Sequence, residues 1–314
     1  MSRILVNIKD MPREKWLEYR KNSIGGSEAS AVLGLNGFKS RYTLWAEKKG
    51  FINIEDSADN EAMRVGMDLE EYVAGRFCEA AGKRVRKRNF MFLHDDYDFI
   101  SANIDREIIG ENAGLECKTT NIFNKSDFEK GEIPLYYYCQ CMHYMAVMGY
   151  ERMYLAVLIL GKSFHWFEIE RNEDEIENLI KSEVDFWNKY IVGKEVPEAD
   201  GSENTSETIA AVYDYAKNKS IVLNNDDIKQ YIELQNRIKE LKGLQEELKQ
   251  KIQITLGDCD TGISKDFEVT WKNQERNTVD TKRLKQEEPQ IYDRFLKTSK
   301  SRVFKVKKTK QEVI

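Results

Sequence analysis

Four charged side chains are of the types that hold a divalent cation and polarise a water molecule. Asp105 ends an apolar, strand-like run, and Glu116 and Lys118 follow in the next run of this kind. Residues i and i+2 of a strand share a face, so Glu116 and Lys118 point the same way while Cys117 points to the other side. Glu70 lies upstream on a helical segment. The pattern predicts one acidic cluster with a lysine beside it.

Carboxylates that lie close together repel one another unless a cation neutralises them. Oxygen ligands that leave positions for water are typical of Mg²⁺ sites. The sequence therefore predicts a Mg²⁺ site, at which Mn²⁺ is an expected substitute. An aspartate followed by an acid-x-lysine pair on the adjacent strand is also the arrangement that hydrolytic nucleases of the PD-(D/E)xK type use.

The Glu-x-Lys spacing alone is weak evidence, because most pairs of this kind are solvated surface pairs. The same spacing recurs in helix-like segments, at Glu47 with Lys49, Glu240 with Lys242, and Glu247 with Lys249. Glu116 and Lys118 differ because they lie in a strand-like run that follows a turn at Gly114. The prediction of a metal site therefore rests on this pair together with Asp105, and not on the Glu-x-Lys spacing alone.

Alternating helical and extended patterns must position these side chains. Residues 12–50 predict three helices, the second with Ser27 as its N-cap. A longer amphipathic helix ends at Gly82, and three strand-like runs follow it. A helix at 134–148, two more strands and a charged helix at 174–190 complete the order. This order predicts an α/β fold with a mixed central sheet flanked by helices.

The chain beyond this region has a different character. We assign residues 1–195 to the main domain, the polar residues 196–206 to a linker and residues 207–314 to a C-terminal extension. A heptad-like segment in the extension predicts a helical hairpin or a short coiled coil, and two strands, DFEVTW and SRVFKVKK, flank a short helix. Residues 297–310 contain seven Lys or Arg and no acid, which predicts either a solvated face or a strand that contacts nucleic acid.

Composition argues against several classes of protein. The 314 residues are 41% hydrophobic and 33% charged, which is typical of a soluble folded chain. No apolar run approaches the roughly 18 residues of a membrane span, and the N-terminal segment lacks the apolar core of a secretory signal, so we expect a cytoplasmic protein without a membrane partner. Five cysteines without a CxxC pair argue against structural zinc and disulfide scaffolds. A net charge of −5 indicates that any contact with nucleic acid is local.

Between residues 12 and 190, a series of motifs resembles the YqaJ-like viral recombinases, relatives of the phage lambda exonuclease within the PD-(D/E)xK nuclease superfamily. The motifs are WLEYR, IGGSEA, KSRYTLWAEKKG, GMDLEE, SANIDRE, LECKT and YYYCQCMHYMAVMG. The resemblance implies a PD-(D/E)xK restriction-endonuclease-like core. It also implies a Mg²⁺-dependent exonuclease that digests linear double-stranded DNA 5′-to-3′ and makes single-stranded ends for phage-type homologous recombination in a bacterial host.

The resemblance further implies partners and residue roles. The partners are double-stranded DNA ends, a single-strand annealing protein of the RecT or beta type, and further copies of the chain in a ring-shaped trimer. Asp105, Glu116 and the backbone carbonyl of Cys117 match the metal ligands, and Glu70 matches a further ligand or a water holder. Lys118 matches the group that activates water, and Gln140 a glutamine on the helix after the catalytic strands. Arg20 and Ser27 match the groups that hold a 5′-phosphate.

Departures from the family pattern leave alternatives open. Where many relatives have Ser-Pro-Asp-Gly, this chain reads ANIDR at 102–106, so a turn glycine and a phosphate-contacting serine are replaced, and Met142 replaces a second helix glutamine. One alternative is an endonuclease of the same superfamily. Another is a catalytically weak or inactive DNA-end-binding recombination adaptor. For Arg20 and Ser27, the alternative is a surface arginine and a helix-capping serine.

Overall fold

The computed structural model describes residues 2–53, 61–121, 128, 130–215, 219–299 and 301–308. The chain forms two compact units, Met1–Tyr213 and Asp214–Ile314. Within the described ranges, no helix is long and apolar enough to cross a membrane.

The first unit alternates helices and short strands in the predicted way. In chain order, its elements are β1 (Arg3–Asn7), α1 (Arg13–Lys21), β2 (Ile24–Gly25), α2 (Gly26–Val32), α3 (Arg41–Lys49), α4 (Glu61–Ala81), β3 (Val85–Lys87), β4 (Phe90–Leu93), β5 (Ile100–Ala102), β6 (Arg106–Ile108), β7 (Ala113–Thr120), α5 (Leu135–Met148), β8 (Arg152–Ile159), β9 (Ser163–Glu170), α6 (Glu173–Phe186), a π-helical continuation (Trp187–Val192) and α7 (Glu203–Val212). The three predicted strand-like runs before α5 form five strands, because turns interrupt the first two of them.

A mixed five-stranded sheet lies at the centre of this unit, in the order β3-β6-β7-β8-β9. β7 and β8 pair in parallel, and the other neighbours are antiparallel. β8 reads RMYLAVLI and is buried along nearly all of its length, as a central strand with both faces covered must be. The parallel register places Glu116 beside Leu155 and Lys118 beside Val157.

Helices cover both faces of this sheet. α4 packs on one face through Val73 and Phe77, against a core that includes Leu115 of β7. α5 packs on the other face, where Met145 and Leu155 belong to the largest buried cluster. Because successive residues of β7 alternate between these layers, Glu116 and Lys118 face the α5 side. The predicted mixed sheet flanked by helices is confirmed.

A second, four-stranded sheet connects the N-terminal helices to the core. Its order is β1-β4-β5-β2, with β2 parallel to β5 and the other pairs antiparallel. β2 is only two residues long, and the pairing of Ile24 with Ile100 fixes where α2 begins. The sheet thus places α1 and α2 beside the strand that leads to Asp105.

The first unit extends beyond residue 195, the predicted end of the main domain. Residues 196–206 were predicted as a linker, but α7 begins within them and packs on α3. Asn204 accepts hydrogen bonds from the Ser40 N–H over 2.8 Å and from the Thr43 hydroxyl over 2.6 Å. Thr43 and Thr208 also share a hydrogen bond of 2.7 Å. Polar residues that make specific contacts with another helix carry no apolar periodicity, which is why the sequence pattern missed this helix.

The second unit contains α8 (Asn225–Leu256), a hairpin of β10 (Thr261–Ile263) and β11 (Glu268–Thr270), α9 (Thr281–Glu287) and α10 (Pro289–Phe295). The heptad-like segment is one continuous helix, so the predicted hairpin is wrong. Residues 301–308 form no strand, contrary to the prediction, although Phe304 packs edge-on against Tyr231 of α8. Residues 300, 309 and 310 of the basic tail lie outside the described residues.

Candidate active site

Asp105 and Glu116 meet where β6 and β7 pair. Asp105 immediately precedes β6, and its Oδ2 accepts a hydrogen bond of 2.8 Å from the backbone N–H of Cys117 in β7. Glu116 is 3% exposed. Nζ of Lys118 lies 2.6 Å from Oε1 of Glu116, as the shared face of the strand requires. The structure therefore brings together the aspartate, the glutamate and the lysine that the sequence singled out.

Gln140 completes the surroundings of Glu116 from the α5 side. Its Nε2 donates to Oε1 of Glu116 over 2.6 Å and to the hydroxyl of Tyr144 over 2.9 Å. Oε1 of Glu116 thus contacts two donors, whereas Oε2 is buried and has no hydrogen-bond partner among the described residues. A buried carboxylate oxygen without a partner is costly, so this oxygen is the one suited to a further ligand.

The charges of this cluster are unbalanced. Burial raises the pKa of Asp105, and the carboxylates of Glu116 and Glu70 raise it further, although Lys118 and the Cys117 N–H oppose them. Burial lowers the pKa of Lys118, but Glu116 and Asp105 outweigh burial and raise that pKa above its usual value. Lys118 is therefore an ammonium group at neutral pH. The acidic side chains outnumber it, so the cluster favours an additional cation.

Glu70 approaches the cluster from α4, on the other face of the sheet from α5. Its Oε1 lies 2.5 Å from a guanidinium nitrogen of Arg106 and 3.4 Å from Nζ of Lys87. Arg106 is 2% exposed and also donates to the backbone carbonyl of Asp105 over 2.7 Å. Glu70 is thus held beside Asp105 by the residue that follows Asp105 in the chain.

The donor set suits a hard divalent cation. Asp105 and Glu116 offer carboxylate oxygens, and Oε2 of Glu116 is buried without a hydrogen-bond partner in the described part of the chain. Burial first, and then the neighbouring carboxylates, raise the pKa of Asp105. The described residues contain no group of three or more His, Cys, Asp or Glu placed to hold a metal ion. Mg²⁺ takes one or two carboxylates and completes its shell with water and phosphate oxygens.

A second charged group lies where α1, α2 and α3 meet. Arg20, in α1, donates to Oγ of Ser27 over 3.1 Å and to Oε1 of Glu28 over 2.9 Å. Its guanidinium carbon lies 5.0 Å from the ring centroid of Trp16. The Arg20 side chain is 21% exposed, and Ser27 is exposed. The two residues matched to 5′-phosphate binding are therefore adjacent and open to solvent.

Ser27 is not the N-cap of α2, as the sequence pattern suggested. The helix begins two residues earlier than that N-cap would require, at Gly26, with Gly25 as the N-cap. Oε2 of Glu28 accepts the hydrogen bond of the Gly25 N–H over 3.0 Å. The pairing of β2 with β5 sets this start, and Glu28 at the third helical position satisfies the N-cap amide. The Ser27 hydroxyl is consequently left to contact Arg20.

Glu28 is buried between two cations. Its Oε1 contacts Arg20, and its Oε2 lies 2.7 Å from Nζ of Lys48 in α3. Burial raises the pKa of Glu28, but Lys48, Arg20 and Lys39 outweigh burial and lower the pKa to about 2. Burial lowers the pKa of Lys48 to about 8, because the attraction of Glu28 only partly compensates for the lost solvation and the charge of Arg20 lowers the pKa further. The carboxylate of Glu28 is therefore ionised at neutral pH.

The two charged groups are connected through the packing of α2 on α5. A Cβ atom at Gly26 would lie 2.5 Å from Cε1 of Tyr144, so only glycine fits at this position. The hydroxyl of Tyr144 accepts from Gln140, and Gln140 donates to Glu116. A continuous line of contacts thus runs from the helix that carries Ser27 to the carboxylate of β7.

Sequence reasoning missed three residues of these groups: Glu28, Lys48 and Arg106. Glu28 and Lys48 lie in short helices whose other residues are largely buried. In the sequence, the available signal was a charged residue among small and apolar neighbours in a short helical segment. Arg106 directly follows Asp105 in the chain. Its role depends on α4, which no local pattern places beside β6.

Comparison with known proteins identifies the family. The model of the YqaJ-like viral recombinase domain matches residues 15–151. A Bacillus subtilis (strain 168) protein, described as uncharacterized protein YqaJ, is 38% identical over 310 residues, which cover 97% of this chain and 97% of that protein. The chain belongs to the YqaJ-like viral recombinase family. The resemblance found in the sequence motifs is therefore confirmed, and it extends through the second unit.

Solved structures similar to this chain include an alkaline exonuclease from Laribacter hongkongensis. It is 20% identical, with a TM-score of 0.50, and the match covers 57% of this chain and 93% of the exonuclease. The same enzyme in complex with dAMP gives the same values. This likeness confirms the predicted PD-(D/E)xK fold in this member of the YqaJ-like family.

Proposed function

We propose that the protein is a Mg²⁺-dependent exonuclease that digests linear double-stranded DNA 5′-to-3′ and makes single-stranded ends for homologous recombination. The observation that carries the proposal is the cluster of Asp105, Glu116 and Lys118 on paired strands of a PD-(D/E)xK sheet. Membership of a viral recombinase family and the fold shared with an alkaline exonuclease support the choice of substrate.

Each residue of the cluster has a distinct role in this proposal. Asp105 and Glu116 would hold Mg²⁺, together with the backbone carbonyl of Cys117, whereas Glu70, which is paired with Arg106, would hold a water molecule of the site. When bound, the metal ion supplies Lewis-acid polarisation of the phosphate and of the attacking water. Lys118 is a protonated donor in this arrangement, so it orients water and offsets negative charge at the phosphate. Gln140 fixes the orientation of Glu116.

The Arg20 and Ser27 group would hold the 5′-phosphate of a DNA end. A planar guanidinium group forms paired hydrogen bonds with phosphate oxygens, and the hydroxyl of Ser27 adds a donor beside it. The packing of α2 on α5 keeps this group at a fixed distance from the acidic cluster. End recognition of this kind favours an exonuclease over an endonuclease.

The assembly is part of the same proposal. Family membership supports a homo-oligomer, with a ring-shaped trimer as the expected form, and a single-strand annealing protein of the RecT or beta type as its recombination partner. Light scattering of the purified chain measures the oligomeric state directly. The same family membership supports our proposal that the protein acts in the cytoplasm of a bacterial host.

Digestion of labelled DNA tests the proposed activity. Linear and covalently closed duplexes are incubated with Mg²⁺, Mn²⁺ or EDTA, and 5′- or 3′-end labels report the direction. We expect loss of linear DNA only, dependent on the metal, with mononucleotides released from the 5′ end. Cleavage of closed circles would instead indicate an endonuclease, and tight binding of ends without cleavage would indicate an adaptor.

Two isosteric variants connect this activity to the site. Asp105→Asn and Glu116→Gln preserve side-chain volume, so we expect a folded protein that does not cleave, because each loses a metal-binding charge. Glu151→Gln removes an exposed carboxylate just before β8 and serves as the matched control, with unchanged activity. Full activity in folded Asp105→Asn would contradict the assignment of the site.

A further inference from the structure

Arg20 and Ser27, the group proposed to bind the 5′-phosphate, contact one another, and Arg20 also contacts the carboxylate of Glu28. A carboxylate at this position would by itself repel a phosphate. Glu28 is 1% exposed and contacts the guanidinium group of Arg20 over 2.9 Å. An arginine whose charge is cancelled by a buried glutamate has little attraction left for a phosphate. The question is therefore what the second cation, Lys48, does to the charge that Arg20 presents to a ligand.

Lys48 is positioned to cancel the charge of Glu28. Its side chain is completely buried, and its Nζ lies 2.7 Å from Oε2 of Glu28, the oxygen not used by Arg20. The same Nζ donates over 2.6 Å to the backbone carbonyl of Arg20, at the C-terminal end of α1. Lys48 thus contacts both the carboxylate and the backbone that carries the guanidinium group.

The charges around this pair leave one positive charge in excess. The neighbouring ions are Lys39 and Glu47, which pair with each other over 2.6 Å and therefore cancel. Arg20 and Lys48 together carry two positive charges against the single negative charge of Glu28. Of the two cations, Lys48 is inaccessible to solvent, whereas Arg20 is partly exposed between Trp16 and Ser27.

We infer that Lys48 neutralises Glu28 and so leaves Arg20 with a net positive charge for the terminal phosphate of a DNA end. Lys48 and Glu28 are positioning residues in this view, since neither reaches the ligand. Glu28 holds the guanidinium group of Arg20 and the start of α2 in place. Lys48 offsets the negative charge of Glu28, which would otherwise weaken the attraction of Arg20 for a phosphate. The inference rests on the proposed function only for the identity of the ligand as a 5′-phosphorylated DNA end.

Binding measured in EDTA separates this inference from catalysis. Fluorescence anisotropy compares the full-length protein on two short duplexes that differ only in a 5′-phosphate or a 5′-hydroxyl. We expect wild type to prefer the phosphorylated end, and Lys48→Met to reduce the ratio of the two affinities by roughly tenfold, because the group becomes neutral. Lys49→Met, which removes an exposed charge from the next position of α3, should leave the ratio unchanged.

The double variant Glu28→Gln with Lys48→Met distinguishes charge from structure. It restores the single positive charge of the wild-type group, so we expect the preference to return to within about threefold of wild type. A purely structural role for Lys48 predicts instead that the double variant is no better than Lys48→Met. Glu28→Gln alone should match or exceed the wild-type preference, and this variant decides the question if Lys48→Met does not fold.

Several results would overturn the inference. They are an unchanged preference in folded Lys48→Met, no recovery in the double variant, a lowered preference in Glu28→Gln, or equal affinity of wild type for both ends. Failure of the proposed function gives a different result, because a wild type that prefers phosphorylated ends in EDTA but does not cleave with Mg²⁺ would refute only the nuclease activity.

Discussion

Helix α2 approaches α5 so closely at Gly26 that one added methyl group should disturb the candidate active site. A Cβ atom at this position would lie 2.5 Å from Cε1, 2.9 Å from Cζ and 3.1 Å from Cδ1 of Tyr144. Carbon atoms in contact prefer separations of about 3.5–4.0 Å. In Gly26→Ala, the Tyr144 ring or the helix must therefore move by about 1 Å.

The displacement has two consequences of predictable size. Insertion of a methyl group into a well-packed interior costs about 1–3 kcal/mol, which for a unit of this length lowers the melting temperature by roughly 2–12 °C. A shift of Tyr144 also moves the acceptor of Gln140, and Gln140 orients Glu116. A misplacement of about 1 Å in a catalytic group lowers turnover by up to about 10²-fold, so we expect a loss of 10- to 100-fold.

Thermal unfolding followed by circular dichroism, and single-turnover digestion of a labelled duplex, measure these two effects. Gly75→Ala is the matched control, because nothing lies within 4 Å of a Cβ atom at that position in α4 and alanine favours a helix. Adding Tyr144→Leu to Gly26→Ala should recover part of the stability but not the turnover, since leucine offers no hydroxyl to Gln140. A Gly26→Ala protein with wild-type stability and turnover would refute the contact between α2 and α5.

Three further predictions follow from the same structure. Lys118→Ala should lower turnover by at least about 10²-fold with little change in DNA affinity, the scale of a lost electrostatic group, and a variant that loses affinity but keeps its turnover would reassign Lys118 to a phosphate contact. The preference for 5′-phosphorylated ends should fall as the pH rises through about 8, because the lowered pKa of Lys48 lies there and Lys48 balances the charge of Glu28 only while it is protonated. The terminal phosphate does not cause this change, since with a pKa near 6 it stays dianionic from about pH 7 to 9. Lys48→Arg should abolish the pH dependence, because arginine stays charged. A chain that ends after Tyr213 should fold with cooperative thermal unfolding, whereas one that ends after residue 196 should melt at a lower temperature because it lacks α7; equal melting temperatures would contradict the role given to that helix.

The strand pattern was sufficient to predict the centre of the candidate site. Alternation in β7 places Glu116 and Lys118 on one face, and the salt bridge between them follows from that geometry. The helix of α5 could also be predicted, because a largely apolar run, interrupted only by Gln140 and His143, extends from the N-terminal proline to a glycine, Gly149, with φ of 68°. Local periodicity and helix-ending residues are properties of short segments, so they can be recognised without the rest of the fold.

Contacts between distant segments could not be predicted in this way. The partners of Arg106 come from α4, and the partner of Glu28 comes from α3, twenty residues further along the chain. The first turn of α7 was assigned to a linker, and the rest of the helix to the C-terminal extension, because its contacts with α3 are polar and specific. In each case the structural role depends on which helices become neighbours, and a charged residue has no sequence signature that names its partner.

The sequence by itself determined the family, the type of fold and the side chains of the candidate site, because motifs, periodicity and residue chemistry are local. Only the tertiary structure decided which side chains pair with one another and how their charges are balanced. It showed that Glu70 is paired with Arg106, that Glu116 has a buried oxygen for which the described residues offer no partner, and that Arg20 shares Glu28 with Lys48. Charge balance depends on burial and on distances of a few ångströms between segments far apart in the chain, and those are fixed only when the helices pack.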